Sequence, residues 1–298
     1  MSADGRFAPS PTGPLHMGSL RTALVAWLFA RSQGARFLIR VEDLDRQRSR
    51  AEFEAGQLRD LAALGITSDE PPVRQSERGA LYARALDELD AQGRLYPCFC
   101  TRADIRAAAS APHGDRPAGA YPGTCQRLPA AERARRVAAG APHALRLRAE
   151  AARVAFEDRL LGPCHGVVDD FVVRRADGVA AYQLAVVVDD AAQRIGEVVR
   201  GADLADSTPR QILLARLLGL AAPRYAHVAL VIGPDGQRLA KRHRAATLAD
   251  RDEPAAATLA WLAHSLGLAT GRNAVHGPDE LLGEFHPARL PRTPVRTG

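Results

Sequence analysis

The sequence predicts an α/β protein: a parallel sheet with crossover helices, broken by a cysteine-bearing insertion and followed by a short helical C-terminal region. Three observations carry this. Up to Leu95, short apolar β-type runs alternate with stretches of helical periodicity, the pattern of strand, crossover and parallel strand. From Tyr96 to Cys125 that alternation gives way to Pro, Gly and Ala with three cysteines. Strand-like runs and an amphipathic stretch then return. With 298 residues, 46% hydrophobic and 25% charged, the chain has ample material for a core, and the composition excludes a fibrous, disordered or membrane-embedded body.

Each element follows from local pattern. Arg6-Phe7-Ala8 reads as the first strand, followed by the turn Pro9-Ser10-Pro11-Thr12-Gly13-Pro14 and a helix from Gly18 to Arg31 with Leu20, Leu24, Trp27 and Leu28 on one face. Arg36 to Val41 forms a second strand ending in Glu42-Asp43-Leu44-Asp45, and helices cover Ala51 to Leu64 and Glu77 to Gln92. Beyond the insertion, Ala130 to Ala139 reads as helix, with strands at Ala144 to Arg148, Asp170 to Arg174, Ala185 to Val188 and Gly196 to Val199. Ser207-Thr208-Pro209 opens a helix to Leu218. Tyr225 to Ile232 is strand-like, Gly233-Pro234-Asp235-Gly236 is a turn, Pro254 to Leu266 is a helix, and the Pro- and Arg-rich end from His286 is expected to be loosely ordered.

Charge and composition narrow the function. A formal +6 and a pI near 9.6 lean toward polyanionic partners without requiring them. Of the forty basic residues, Lys241 is the sole lysine. Arginine has displaced lysine everywhere else, so its survival, unless accidental, points to a compact ammonium that a planar guanidinium cannot replace. No apolar run approaches the ~20 residues of a spanning helix and the polar start has no signal-peptide shape, so a cytoplasmic protein without a membrane partner is expected. Four cysteines are too few for a disulfide scaffold. The clustering of Cys98, Cys100 and Cys125 favours a metal over a bridge, and Cys164 stands apart.

The segment RFAPSPTGPLHMGSL, Arg6 to Leu20, has the ingredients of a nucleotide site: a strand end, a rigid turn, a histidine, and a glycine at a helix start. Gly18 has no Cβ to hold an adenosine off the backbone, and His16 is placed to donate to a phosphate at the positive end of the helix. A βα turn with a solvent-facing histidine is the bland alternative.

RFAPSPTGPLHMGSLRTAL resembles the "HIGH" signature of class I aminoacyl-tRNA synthetases in its glutamyl form, and RLAKR at Arg238 to Arg242 resembles the "KMSKS" signature, with Lys241 in place of the second lysine. RVEDLDRQR from Arg40, AAYQLAVVVDD from Ala180 and GEVVRGADL from Gly196 are similar to glutamyl-family stretches in the same order. The loop departs from the family at Ala240, where serine is common, and at Arg238, where the first lysine stands.

The resemblance implies a class I synthetase Rossmann-type parallel sheet, divided as residues 1–95 (first half of the catalytic domain), 96–128 (zinc-binding insertion), 129–245 (an acceptor-binding-like subdomain and the second half) and 246–298 (short helical region, its tail loosely ordered). It implies L-glutamate contacts at Arg6, Phe7, Ala8, Pro9, Ser10, Glu42, Tyr182 and Arg200, and ATP contacts and catalytic roles at His16, Gly18 and Lys241. The chemistry agrees: Arg6 and Arg200 suit the side-chain carboxylate, Glu42 suits the ammonium, and Tyr182 and Ser10 suit orientation by hydrogen bonds. Mg2+ is expected with ATP. The cluster Cys98, Cys100, Tyr121 and Cys125 resembles the zinc site of the stand-alone glutamyl-queuosine tRNA(Asp) synthetases; His113, in the same stretch, is the commoner ligand type and remains open as the fourth donor.

Only fifty-seven residues follow Lys241, too few for the anticodon-binding region of a full glutamyl enzyme. The expected partners are therefore ATP, L-glutamate and queuosine-bearing tRNA(Asp), acted on by a monomer. A shortened glutamyl-tRNA synthetase and a silent RNA-binding paralogue are the rivals. Replacing Lys241 by Ala should cut glutamate-dependent ATP–pyrophosphate exchange by the equivalent of about 2.7 to 4 kcal/mol, the usual cost of one transition-state charge contact. Lys241→Arg should also be impaired; near-normal exchange by that variant would make the lone lysine accidental.

Overall fold

A computed structural model of the chain describes residues 4–101, 103–105, 121–233, 236, 247–250, 253–269, 271 and 273–296. The central sheet has seven strands: β1 (Gly5–Phe7), β2 (Phe37–Val41), β3 (Val73–Arg74), β6 (Arg153–Asp158), β7 (Gly162–Val167), β9 (Glu197–Gly201) and β10 (Arg224–Val228). Their order is β3-β2-β1-β9-β10-β6-β7, with every pairing parallel except the hairpin β6–β7. A second sheet of β4 (Leu95–Cys98), β5 (Ala144–Leu147) and β8 (Phe171–Arg174) is antiparallel. β11 (Val231–Ile232) pairs with β12 (Val295–Arg296).

The helices lie on both faces of the central sheet. α1 (Met17–Arg31), α2 (Ala51–Ala63) and α7 (Ala255–Ser265) share one core with Phe7, Phe37, Ile39, Val199, Ala226 and Val228. α3 (Gly79–Ala91), α5 (Tyr182–Ala192) and α6 (Thr208–Leu217) share the other with Leu38, Val198 and Tyr225. α4 (Ala130–Ala138) buries none of its residues.

Strand alternation has a consequence for the second face. Because successive side chains point to opposite sides, Arg6, Arg40, Arg200 and His227 project with Leu38, Val198 and Tyr225 toward α5 and α6. These polar side chains are nearly or wholly buried: Arg40 and His227 are 0% exposed, Arg6 4% and Arg200 5%. α5 supplies the counter-charges. Asp190 binds Arg40 Nη1 at 2.7 Å and Arg6 Nε at 3.2 Å, while Asp189, itself 0% exposed, accepts from Arg78 Nε at 2.5 Å, Gln75 Nε2 at 2.8 Å and the Tyr82 hydroxyl at 2.8 Å.

Most predicted elements stand within a few residues of their expected ends, with three corrections. Ala185 to Val188 is not a strand but the middle of α5, buried against both the sheet and its neighbouring helices. A short run of β-branched residues cannot be told from a buried helix by periodicity. The run Tyr225 to Ile232 is broken into β10 and β11, and the carbonyl of Ala229 in the break accepts from Arg21 Nη1 at 2.7 Å. The segment from His286 is structured through Arg296: Leu290 is 4% exposed and Val295 pairs with Val231. The hairpin β6–β7 has no forerunner in the sequence reading.

Asp189 touches no residue of the cleft described below, so its replacement reports on folding. Asp189→Ala strands buried cationic and polar groups and should cost about 3–5 kcal/mol of unfolding free energy, read from urea melts; a loss below about 1 kcal/mol would mean that the network adapts around the gap.

Candidate active site

The strand order turns outward in both directions from β1 and β9, so a crevice opens beyond their carboxyl ends, where open parallel sheets bind ligands. A cavity of about 610 Å3 lies there. Arg6, Phe7, Ala8, Pro9, Ser10, His16, Gly18, Glu42, Tyr182 and Arg200 all line it, so the structure gathers ten residues that are scattered along the sequence. Lys241, Arg238 and Ala240 lie outside the described residues, as does His113.

His16 is the N-cap of α1. It is extended (φ −84°, ψ 163°), and its Nδ1 accepts the Ser19 amide at 3.1 Å, which places the proton of a neutral ring on Nε2. Gly18 gives that ring room: a Cβ there would lie 3.1 Å from His16 Nδ1 and 3.2 Å from Cε1, so the imidazole would have to yield by a few tenths of an ångström. The glycine expected to admit a nucleotide therefore also makes room for the histidine.

Arg6 and Arg200 reach the cavity from the buried row. Arg6 is held by Asp190 and by the Val199 carbonyl at 3.4 Å. Arg200 donates Nε to His227 Nε2 at 3.1 Å, Nη1 to Gln211 Oε1 at 2.8 Å, and Nη2 to Thr208 Oγ1 at 2.8 Å and the Leu204 carbonyl at 3.2 Å. Burial raises the Glu42 carboxyl above its ordinary value despite the pull of Arg40 and Arg6. Burial would also raise Asp190, but Arg6 and Arg40 outweigh it and keep that carboxylate ionised to lower pH than usual. Tyr182, at the start of α5, is 38% exposed and forms part of the cavity wall. Two guanidinium groups and the carboxyl groups of Glu42 and Asp203 thus converge on one opening, a pattern complementary to a ligand that carries both signs.

Sequence reasoning missed the other two members of this row, Arg40 and His227, and the residues that hold the row in place: Asp158, Asp190, Thr208 and Gln211. Their signal was present in part, because Asp189-Asp190 stands in a stretch already singled out by resemblance. Reading that stretch as a strand hid the face to which the acids point.

The cysteine cluster forms a separate small core with Tyr96 and Tyr121. The Sγ atoms of Cys98, Cys100 and Cys125 lie within 4.8 Å of one another, and Cys100 to Cys125 is 3.4 Å. The Tyr121 hydroxyl sits 3.4 Å from Cys98 Sγ and 3.7 Å from Cys100 Sγ, accepting the Cys125 amide at 2.8 Å. A tetrahedral zinc with ordinary Zn–S and Zn–O lengths needs edges of about 3.8 Å between sulfurs and about 3.5 Å from sulfur to oxygen. The donors fit such an ion. Without one, burial drives the Cys100 thiol up to about 12.

The sheet, the crevice at its point of reversal and the histidine-capped helix define a class I synthetase catalytic core. The sequence profile described as "tRNA synthetases class I (E and Q), catalytic domain" matches residues 3–283, and the chain belongs to that family, whose members are ligases. The chain is 56% identical over 293 residues to a glutamyl-Q tRNA(Asp) synthetase of Nocardia farcinica, covering 97% of this chain and 91% of that protein. It is 50% identical over 307 residues to a protein of the same name from Symbiobacterium thermophilum, covering 98% and 95%. Among solved structures it superposes on a glutamate tRNA ligase from Elizabethkingia meningosepticum, in complex with its amino acid, with a TM-score of 0.85 and 27% identity. That match covers all of this chain and 67% of the other.

Gly18→Ala should press on the imidazole while leaving the core untouched. Amino-acid-dependent ATP–pyrophosphate exchange should fall about ten- to a hundredfold, as small misplacements of positioned groups do, with the melting temperature almost unchanged. Full exchange by this variant would mean that the ring has slack.

Proposed function

We propose that the cleft activates L-glutamate with ATP and transfers it to the queuosine at the wobble position of tRNA(Asp). The observation that carries the amino-acid half is the convergence of Arg6, Arg200 and Glu42 on one cavity. Glutamate brings a side-chain carboxylate for the two guanidinium groups and an ammonium for Glu42, with Tyr182 and Ser10 orienting it. Phe7, Ala8 and Pro9 form the adjoining wall of the cavity.

In the first step the α-carboxylate of glutamate attacks the α-phosphorus of MgATP, the bond to the β-phosphate oxygen breaks, and pyrophosphate leaves. His16, with its proton on Nε2, donates to the phosphate; Gly18 permits close approach; Lys241 neutralises charge on the leaving pyrophosphate. No protein nucleophile is needed, because positioning and charge stabilisation supply the acceleration. In the second step a hydroxyl of the cyclopentenediol of queuosine attacks the mixed anhydride, forming the ester and releasing AMP. The diol stands in for the terminal ribose of a tRNA. This acceptor is favoured by the names of relatives that align with the chain over nearly their whole length.

Cys98, Cys100, Tyr121 and Cys125 would hold one Zn2+, which would staple the insertion without taking part in adenylation. The protein acts as a monomer in the cytoplasm.

Two measurements test these readings. Labelled glutamate should appear on queuosine-containing tRNA(Asp); transfer to the terminal adenosine of tRNA(Glu) alone would identify a shortened glutamyl-tRNA synthetase instead. Elemental analysis of tag-free protein should return one zinc per chain, with loss in Tyr121→Phe and retention in His113→Ala. The reverse pair would transfer the fourth position to His113.

A further inference from the structure

The wall behind Arg200 contains a second buried pair that the adenylation chemistry does not use. Parallel register places His227 of β10 beside Arg200 of β9, and Asp158 ends the next strand, β6. Asp158 and His227 side chains are both 0% exposed. Asp158 Oδ2 lies 2.5 Å from His227 Nδ1. Asp158 Oδ1 accepts three backbone amides: Leu160 and Leu161, both at 2.9 Å, and His227 at 3.2 Å. The carboxylate is thus clamped in orientation by the main chain, and Oδ2 is left for the ring.

An acceptor at Nδ1 fixes the proton there and leaves a lone pair on Nε2. That lone pair faces the Nε–H of Arg200 at 3.1 Å. Thr208 Oγ1, 3.3 Å from the same nitrogen, accepts Nη2 of Arg200, so its hydroxyl proton is free to point at Nε2. Burial and the charge of Arg200 lower the His227 pKa against the opposing pull of Asp158, which keeps the ring neutral and able to accept. With the bonds to Gln211 and Leu204, four of the five N–H groups of Arg200 are committed. The remaining one is on Nη1.

We propose that Asp158 and His227 are positioning residues for amino-acid recognition: Asp158 sets the His227 tautomer, and the tautomer sets the guanidinium of Arg200 so that its last N–H faces the bound carboxylate. The proposal rests on the reading of Arg200 as a glutamate contact, and its test separates the two.

Asp158→Asn is the informative variant. The three backbone amides hold the Asn oxygen at the Oδ1 position, so the side-chain NH2 faces Nδ1, drives the ring proton to Nε2 and sets two donors against each other at Arg200. Nitrogen-15 NMR of the histidine rings should show the His227 protonation site moving from Nδ1 to Nε2. In ATP–pyrophosphate exchange the KM for glutamate should rise about ten- to a hundredfold, the scale of losing one hydrogen bond to a charged group, with the KM for ATP within about twofold, since no ATP contact has changed. His227→Gln, which carries an acceptor amide oxygen, should retain a lower glutamate KM than His227→Leu. An unmoved tautomer, an unchanged glutamate KM in Asp158→Asn, or equal effects of the Gln and Leu variants would overturn the proposal. A wild-type protein showing no glutamate-dependent exchange would instead refute the functional reading, while the NMR arm still decides whether Asp158 sets the ring.

Discussion

Cationic side chains on the inner face of a parallel sheet are the condition on which the rest of this structure depends. Arg6, Arg40 and Arg200 point to the same side of β1, β2 and β9, where such strands are ordinarily apolar on both faces. An isolated buried charge costs far more than a fold of this size can spare, so α5 must bring Asp189 and Asp190 onto that face, and β10 and α6 must bring groups that accept from Arg200. The return is rigidity. Guanidinium groups bonded on most of their edges cannot swing, so what they present to the cleft is fixed before any ligand arrives.

The sheet order explains why the cleft lies where it does. Strands spread in both directions from β1 and β9, and the chain leaving each must part from its neighbour. Pro9 to Leu15 fills one side of the gap and Gly201 to Leu204 the other. The break between β10 and β11 completes the floor, held by Arg21, which is 1% exposed and ties Ala229 to Ser265 at the end of α7. Loss of hydration brings its pKa down to about 10, and it remains a cation at neutral pH.

Motifs with fixed local spacing were legible in the sequence. The turn from Pro9, the helix after His16 and the pair Cys98 and Cys100 read directly because their geometry is local. The convergence of Arg6, Glu42, Tyr182 and Arg200 was legible only through resemblance, since it arises from strand register between segments far apart in the chain. Asp158 and His227 carried no readable signal: His227 is a single polar residue within an apolar run, Asp158 is hidden between the charged Glu157 and Arg159, and their pairing is set by the register of β6, β9 and β10. The seven-residue stretch from Leu184 to Asp190 misled because complete burial erases the amphipathic stripe that marks a helix. The tail past His286 misled for a different reason, as proline and arginine conceal the buried Leu290.

Histidine at the head of α1 has a cost in thermal robustness. Serine, aspartate or asparagine caps a helix better than imidazole does, and a poor cap commonly forfeits about 0.5–2 kcal/mol. Glycine two residues later weakens the same first turn. An engineer who optimised helix starts by propensity alone would select both positions for replacement and obtain a hardier scaffold with a disabled cleft. The first turn of α1 is therefore a place where durability and turnover trade against each other, and stabilising changes belong elsewhere, for instance on the exposed α4, where no side chain is buried.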